Sequence, residues 1–146
     1  MNTDELDKKR MLTYYKPQDS PWGEIQASHL LTKGAFYVST ATHGGILVMT
    51  ELADTLLSKE AQECGFPYSP YLCFEENCDA PVALRELLDK GIIKAPVNKF
   101  YKKGEFSERI NYSLQQWHPD YWKAREQRLD KEQKSKQRKL NEREER

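Results

Sequence analysis

The 146-residue sequence has no run of 18 apolar residues, and its charged start, Met1 to Arg10, is not followed by an apolar stretch. Neither a spanning helix nor a secretory signal is therefore expected, and a cytoplasmic setting without membrane association follows as the expectation. Cysteine is scarce: Cys64, Cys73 and Cys78 are odd in number and irregularly spaced, which excludes a disulfide framework and suits a reducing compartment. None of them forms the close pair that structural zinc sites draw on. A set of Cys64, Cys73 and Cys78 with His43 or His29 is accordingly set aside, no metal or other cofactor is expected, and the thiols are read as small buried hydrophobes.

Net charge is absent as well, with 23 Lys and Arg against 23 Asp and Glu, so no global field draws the chain to nucleic acid or an anionic membrane. The balance conceals a division. Lys123 to Arg146 carries ten cations and six anions and holds only Leu129 and Leu140 of the large aliphatics, which leaves an acidic body and a basic tail.

What is present reads as a small α+β domain. Residues 1–20 lack a sustained period and end in the turn-forming Asp19-Ser20-Pro21, so they are read as a loosely attached arm. Two runs rich in β-branched and aromatic residues, 35–42 and 46–49, flank His43-Gly44-Gly45. The glycine pair predicts a tight hairpin turn with positive φ. Thr50 is expected to cap a helix carrying Leu52, Leu56 and Leu57, and Tyr71-Leu72-Cys73-Phe74 reads as a further strand. Asp79 is expected to cap a second helix with Pro81 in its first turn, ended at Gly91 by a left-handed residue. Residues 94–105, with Lys94, Lys99, Lys102 and Lys103, form an exposed connection. A helix from Ser107 then bears a stripe of Ile110, Leu114, Trp117 and Tyr121, and Pro119 breaks it before Asp120 caps the tail helix. The expected organisation is thus an arm (1–20), a core whose central antiparallel hairpin is packed by two to three helices (21–118), and a projecting charged helix (119–146).

Three groupings can carry chemistry. Ser39, Thr40, Thr42 and His43 beside Gly44 and Gly45 form a polar word at the hairpin tip, with His43 as a general base near neutral pH. Strand alternation opposes it, placing Thr40 and Thr42 on one face and Ser39 and His43 on the other. Glu75, Glu76 and Asp79 form an acidic cluster that suits either a cation or the positive end of a helix dipole. Trp22, Trp117 and Trp122 supply large rings: Trp22 and Trp117 are assigned to the core, Trp122 to an interface.

Three words occur in order: Pro21-Trp22-Gly23-x-x-Gln26, Val38-Ser39-Thr40-Ala41-x-His43-Gly44-Gly45, and Glu75-Glu76-x-Cys78-Asp79. Together they resemble the family labelled domain of unknown function 7007, small proteins and modules found largely in phages, plasmids and other mobile elements, over about residues 20–90. The resemblance implies a bacterial or phage cytosolic setting and an accessory role, brings no reaction, and carries His43, Gly44, Gly45, Glu75, Glu76 and Asp79 over by position.

The leading expectation is a noncatalytic binding or regulatory module of a mobile element, acting on a host or phage protein through Trp22, Trp122, the polar residues of the hairpin tip with Glu75, and the charged tail. Its competitor is a small hydrolase or transferase with His43 as base and Glu75, Glu76 or Asp79 as orienting or cation-binding carboxylates. A third is weak nucleic-acid binding by residues 123–146, whose cations are interleaved with anions and accompanied by no ring for base stacking.

Overall fold

A computed structural model describes residues 17–144. Strands β1 (Asp19–Ser20) and β2 (Gly23–Glu24) form a miniature hairpin. Strands β3 (Ala27–Thr32), β4 (Ala35–Ser39), β5 (Gly44–Met49), β6 (Phe66–Tyr68) and β7 (Tyr71–Glu75) form one antiparallel sheet in the order β3-β4-β5-β7-β6. A 3-10 turn (Thr50–Leu52) and the short helices α1 (Ala53–Leu56) and α2 (Lys59–Glu63) connect β5 to β6; α3 (Ala80–Asp89), α4 (Glu105–Trp117) and α5 (Pro119–Glu144) follow the sheet. The expected α+β class and the central position of the β4–β5 hairpin are both observed.

Strand β5 is buried along its whole length because both faces of the sheet are covered. Ala35, Ile46, Val48 and Phe74 point towards the helices and join Leu56, Leu57, Val82, Leu87, Ile110 and Leu114 in the main core. Phe36, Val38, Leu47 and Cys73 point the other way, under Trp22, Ile25, Tyr68 and Tyr71. The alternation of the two sets along β4 and β5 is the two-residue period of a strand. Asp19 and Ser20, which the sequence placed in the arm, belong to this second layer: Ser20 is buried, its hydroxyl donates to the Gly23 carbonyl at 2.7 Å, and Tyr68 donates to the Asp19 carboxylate at 2.9 Å. The rest of that arm, residues 1–16, lies outside the described residues.

The hairpin differs from expectation in its turn. Residues 40–43 make the loop, and Gly44 and Gly45 belong to β5, opposite Ser39 and Val38. Neither glycine has a positive φ. Their lack of a side chain serves close approach instead. A Cβ on Gly45 would lie 2.2 Å from the Phe74 carbonyl and 2.5 Å from the Trp22 ring, and one on Gly44 would lie 2.5 Å from the Val38 carbonyl. The left-handed role falls to Gly91, at φ +70°, where the amides of Gly91 and Ile92 donate to the carbonyls of Leu88 and Leu87 at 3.0 and 2.9 Å. These are the two hydrogen bonds of a Schellman ending, with Gly91 as the left-handed residue that the sequence predicts.

The helix starts are less regular than their caps suggest. Thr50 makes no capping bond and opens a 3-10 turn after Met49, whereas Ser58 caps α2 by accepting from the Ala61 amide at 3.1 Å. Helix α4 begins at Glu105 after Gly104 (φ 83°), so Ser107 lies inside it. Only His118 separates α4 from α5, and Pro119 starts α5 in place of a cap at Asp120. Ile110, Leu114 and Tyr121 face the core, but Trp117 does not: it is 64% exposed, while Trp122 packs on the main core under the Arg125 guanidinium. The break that Pro119 predicts is present at His118; Tyr121 therefore reaches the core from α5, and Trp117, in the last turn of α4, is left uncovered.

Helix α5 is joined to the body through buried charge. The Tyr121 hydroxyl and Arg128 guanidinium donate to Oε2 of Glu86 at 2.7 and 3.1 Å, and the Ser58 amide donates to its Oε1. Arg125 grips both oxygens of Asp89 at 2.7 and 2.9 Å, and Arg85 bonds Asp89 on its own helix and Ser107 and Asn111 on α4. From residue 130 onward every described side chain of α5 is exposed, so the helix projects.

Two outcomes follow from this packing. Gly91→Ala should cost about 1 kcal/mol, the ordinary penalty of a left-handed residue with free space around it. Gly45→Ala should cost about 3 kcal/mol or more, since backbone blocks the new carbon. Urea denaturation of both variants checks the order. Burial alone would raise the Glu86 pKa, but its bonds to Ser58 and Tyr121 and the charge of Arg128 hold it below the usual carboxylate value. A depressed folded pKa stabilises the protein above the unfolded value and loses that contribution as pH falls through the folded one. Glu86→Gln should therefore destabilise by about 3 kcal/mol at neutral pH, and the deficit should shrink towards acid; a constant deficit across the acid range would contradict the assignment.

Candidate functional site

The hairpin tip is held by one hydroxyl. Thr40 Oγ1 donates to the His43 carbonyl at 2.7 Å, with the Trp22 carbonyl at 3.3 Å as a longer second acceptor, and it accepts from the amides of His43 and Thr42 at 3.2 and 3.4 Å. The Thr40 amide also donates to the His43 carbonyl at 2.7 Å. Thr40 is thus consumed in closing the loop, Thr42 is exposed, and Ser39 is the last residue of β4. Because 40–43 are loop and not strand, alternation does not order these side chains; the polar word is split by the bonds of Thr40 to the loop's own backbone.

The loop does set His43 against the end of β7. Gly45 pairs with Glu75, and the Glu76 amide donates to the Gly44 carbonyl at 3.0 Å, so the chain after β7 passes directly beside the tip. Ligand-type atoms of His43, Glu75 and Glu76 lie within 4.8 Å of one another. Gly44 makes this approach feasible, since a Cβ there would stand 3.1 Å from a Glu76 carboxylate oxygen. Glu75 is positioned further by the amides of Asn77 and Cys78, which donate to its Oε2 at 3.0 and 3.3 Å. The negative charge extends to Tyr37, whose phenol pKa is raised by burial and then by Glu76 and Glu75.

One imidazole and two carboxylates can offer a divalent cation one nitrogen and two oxygens, or pair a base with an orienting acid. The imidazole is exposed, and among the described residues no hydrogen bond joins it to either carboxylate. The cleft of about 360 Å³ lined by Ser58, Glu86, Asp89, Lys90, Arg128, Leu129 and Glu132 involves none of the three.

Asp79 is absent from the group. It precedes α3 but makes no capping bond; its carboxylate meets His118 Nε2 at 2.9 Å, tying the start of α3 to the joint between α4 and α5. The joint at His118 competes for the carboxylate that the sequence assigns to the helix end. Trp22 lies over Gly45 and meets Phe66 edge to face at 6.1 Å, a structural position. The thiols behave as buried hydrophobes where they are covered: burial pushes Cys73 up to about 12, and burial followed by the charges of Asp79, Glu63 and Glu86 pushes Cys64 up to about 11. Sequence reasoning missed the Arg85, Glu86, Asp89, Arg125 and Arg128 cluster. The charges of the tail helix read as a solvated face and α3 reads as an apolar helix, so nothing local in the sequence pairs Glu86 and Asp89 with Arg125 and Arg128.

Comparison with the curated proteins and with the solved structures finds no match. The family described as "Domain of unknown function (DUF7007)" matches residues 15–146, a span that runs past the three words at 20–90 and takes in the tail helix. The chain therefore belongs to the DUF7007 family.

Proposed function

We propose that this chain is a small accessory protein of a phage or other mobile element that acts as a noncatalytic binding or regulatory module on a cytosolic host or phage protein. The observation that carries the reading is Trp117, 64% exposed at a corner whose two sides are fixed. Leu114 is buried one turn before it, His118 is tied to Asp79, and Tyr121 is buried beyond it. A large ring held outward on a rigid support loses little freedom on binding, and such rings dominate interface energies. This moves the interface from Trp122, which is packed on the core, to its neighbour across the joint.

Affinity capture from phage-infected or plasmid-bearing cells, followed by titration of the purified partner, tests the reading. Trp117→Ala should weaken the partner's binding about tenfold or more, the usual loss at an anchor residue, with an unchanged melting temperature. Equal affinity for wild type and variant would refute the proposed anchor.

The convergence of His43 with Glu75 and Glu76 favours a second reading, a small hydrolase or transferase using His43 as base or cation ligand. On that reading, cobalt(II) added to the protein produces a visible absorption band that His43→Ala and Glu76→Gln both remove. A featureless spectrum at saturating cobalt counts against cation-assisted chemistry at this tip.

A further inference from the structure

The body of the protein is acidic, yet four of its cations fall within eleven residues that contain no anion: Lys94, Lys99, Lys102 and Lys103 in the connection 94–104. All four are exposed, and so are Val97 at 66% and Phe100 at 69%.

This connection is an ordered turn. The Asn98 carbonyl oxygen of the side chain accepts from the amides of Phe100 and Tyr101 at 2.8 and 3.2 Å, and the Asn98 amide donates to the Tyr101 carbonyl at 3.0 Å. Tyr101 turns inward, packing edge to face on Phe106 at 5.2 Å beneath the Arg109 guanidinium. Phe100, its neighbour, is thereby left outward, with the Lys99 ammonium 5.0 Å from its ring centre. Glu105, the nearest carboxylate in sequence, is turned back onto the Lys102 amide and Arg109 and does not neutralise the lysines' ammonium groups.

We propose that this turn is a docking surface for single-stranded nucleic acid, with Phe100 stacking on a base and Lys94, Lys99, Lys102 and Lys103 meeting the backbone phosphates. Charge complementarity selects a polyanion, since the patch is a basic island on an acidic body. The exposed ring selects an unpaired base, because a ring stacks only on a base face that a duplex conceals. One ring and one valine give too little apolar area to hold a bilayer interface. The surface lies outside residues 123–146, the segment to which the sequence assigned nucleic-acid contact, and does not include Trp117.

The test uses the full-length protein and a fluorescently labelled oligothymidylate, read by anisotropy at several salt concentrations. The expected result is binding whose affinity falls with a log–log salt slope of roughly −2 to −3, as for three to four phosphate contacts with a single strand. Phe100→Ala should weaken it roughly tenfold, and K99E/K102E/K103E should abolish it. Both variants alter exposed positions, and an unchanged melting temperature verifies their folds. A chain ending at Glu132, which retains Tyr121, Arg125 and Arg128, should bind as well as the intact one. Absence of binding at low salt overturns the proposal, as does loss of binding on truncation with the loop variants unaffected. Binding to phosphatidylserine vesicles without binding to the oligonucleotide overturns it in favour of a membrane surface.

Discussion

The structure depends on a cluster of charge that has been taken out of water. Glu86 is almost fully buried, and Arg85 and Arg125 are nearly so, in a protein whose apolar content is only 38%. Such groups are tolerable only when each is met by partners of opposite charge and correct geometry. Here they are: among the described residues no buried side-chain nitrogen or oxygen lacks a partner. Helix α3 is the hub. Arg85 reaches α4, Asp89 receives Arg125 from α5, and Glu86 receives Tyr121 and Arg128 from α5 and the Ser58 amide at the start of α2. Apolar packing would let α5 slide or rotate, whereas a forked guanidinium on a carboxylate fixes both angle and register.

That constraint explains how a helix with so few apolar residues is held. Beyond its first three turns α5 has only local support, such as the Asp130–Lys134 pair at 3.0 Å, which contributes a few tenths of a kcal/mol as about all exposed pairs do. Its direction is set at its base, by Tyr121, Arg125 and Arg128, and at the joint, by His118 on Asp79. The opposite face of the sheet relies on a different device. There the pair Gly44 and Gly45 removes side-chain bulk so that Trp22 can lie on the ribbon and the chain after β7 can run beside the hairpin tip.

Much of this was legible in the sequence, and the failures share a cause. The β-branched and aromatic runs 35–42, 46–49 and 71–74 mark three strands of the sheet, though not their bounds, and the end of α3 follows from Gly91 and Ile92, because these are local properties of the chain. The glycine pair was placed at the turn because conformational freedom is the commonest use of glycine. Its actual use, room for Phe74 and Trp22, depends on strands distant in sequence. Asp79 reads as a cap and Trp117 as core by the same local logic; the Asp79 carboxylate is instead taken by His118, distant in sequence, and Trp117, in the last turn of α4, is left uncovered. The approach of His43 to Glu75 and Glu76 could be posed as a question from sequence, but its answer required the pairing of β5 with β7. The buried arginines were illegible for the reverse reason: a charge on a helix carries no local mark of its burial.

The placement of the exposed groups follows from the same architecture. Rings that the core can accept are turned in, as Trp22, Tyr101, Tyr121 and Trp122 show, each with a named partner. Phe100 and Trp117 are turned out by elements that are themselves pinned, the Asn98 turn in one case and the His118 joint in the other. An apolar ring left in water through loose packing would sit on a frayed segment free to collapse inward. These two sit on segments whose hydrogen bonds prevent that collapse, so their exposure is maintained by the fold. Pre-organisation of this kind lowers the entropy lost on association, and it is the physical property that a binding module needs and that a merely tolerated surface residue lacks.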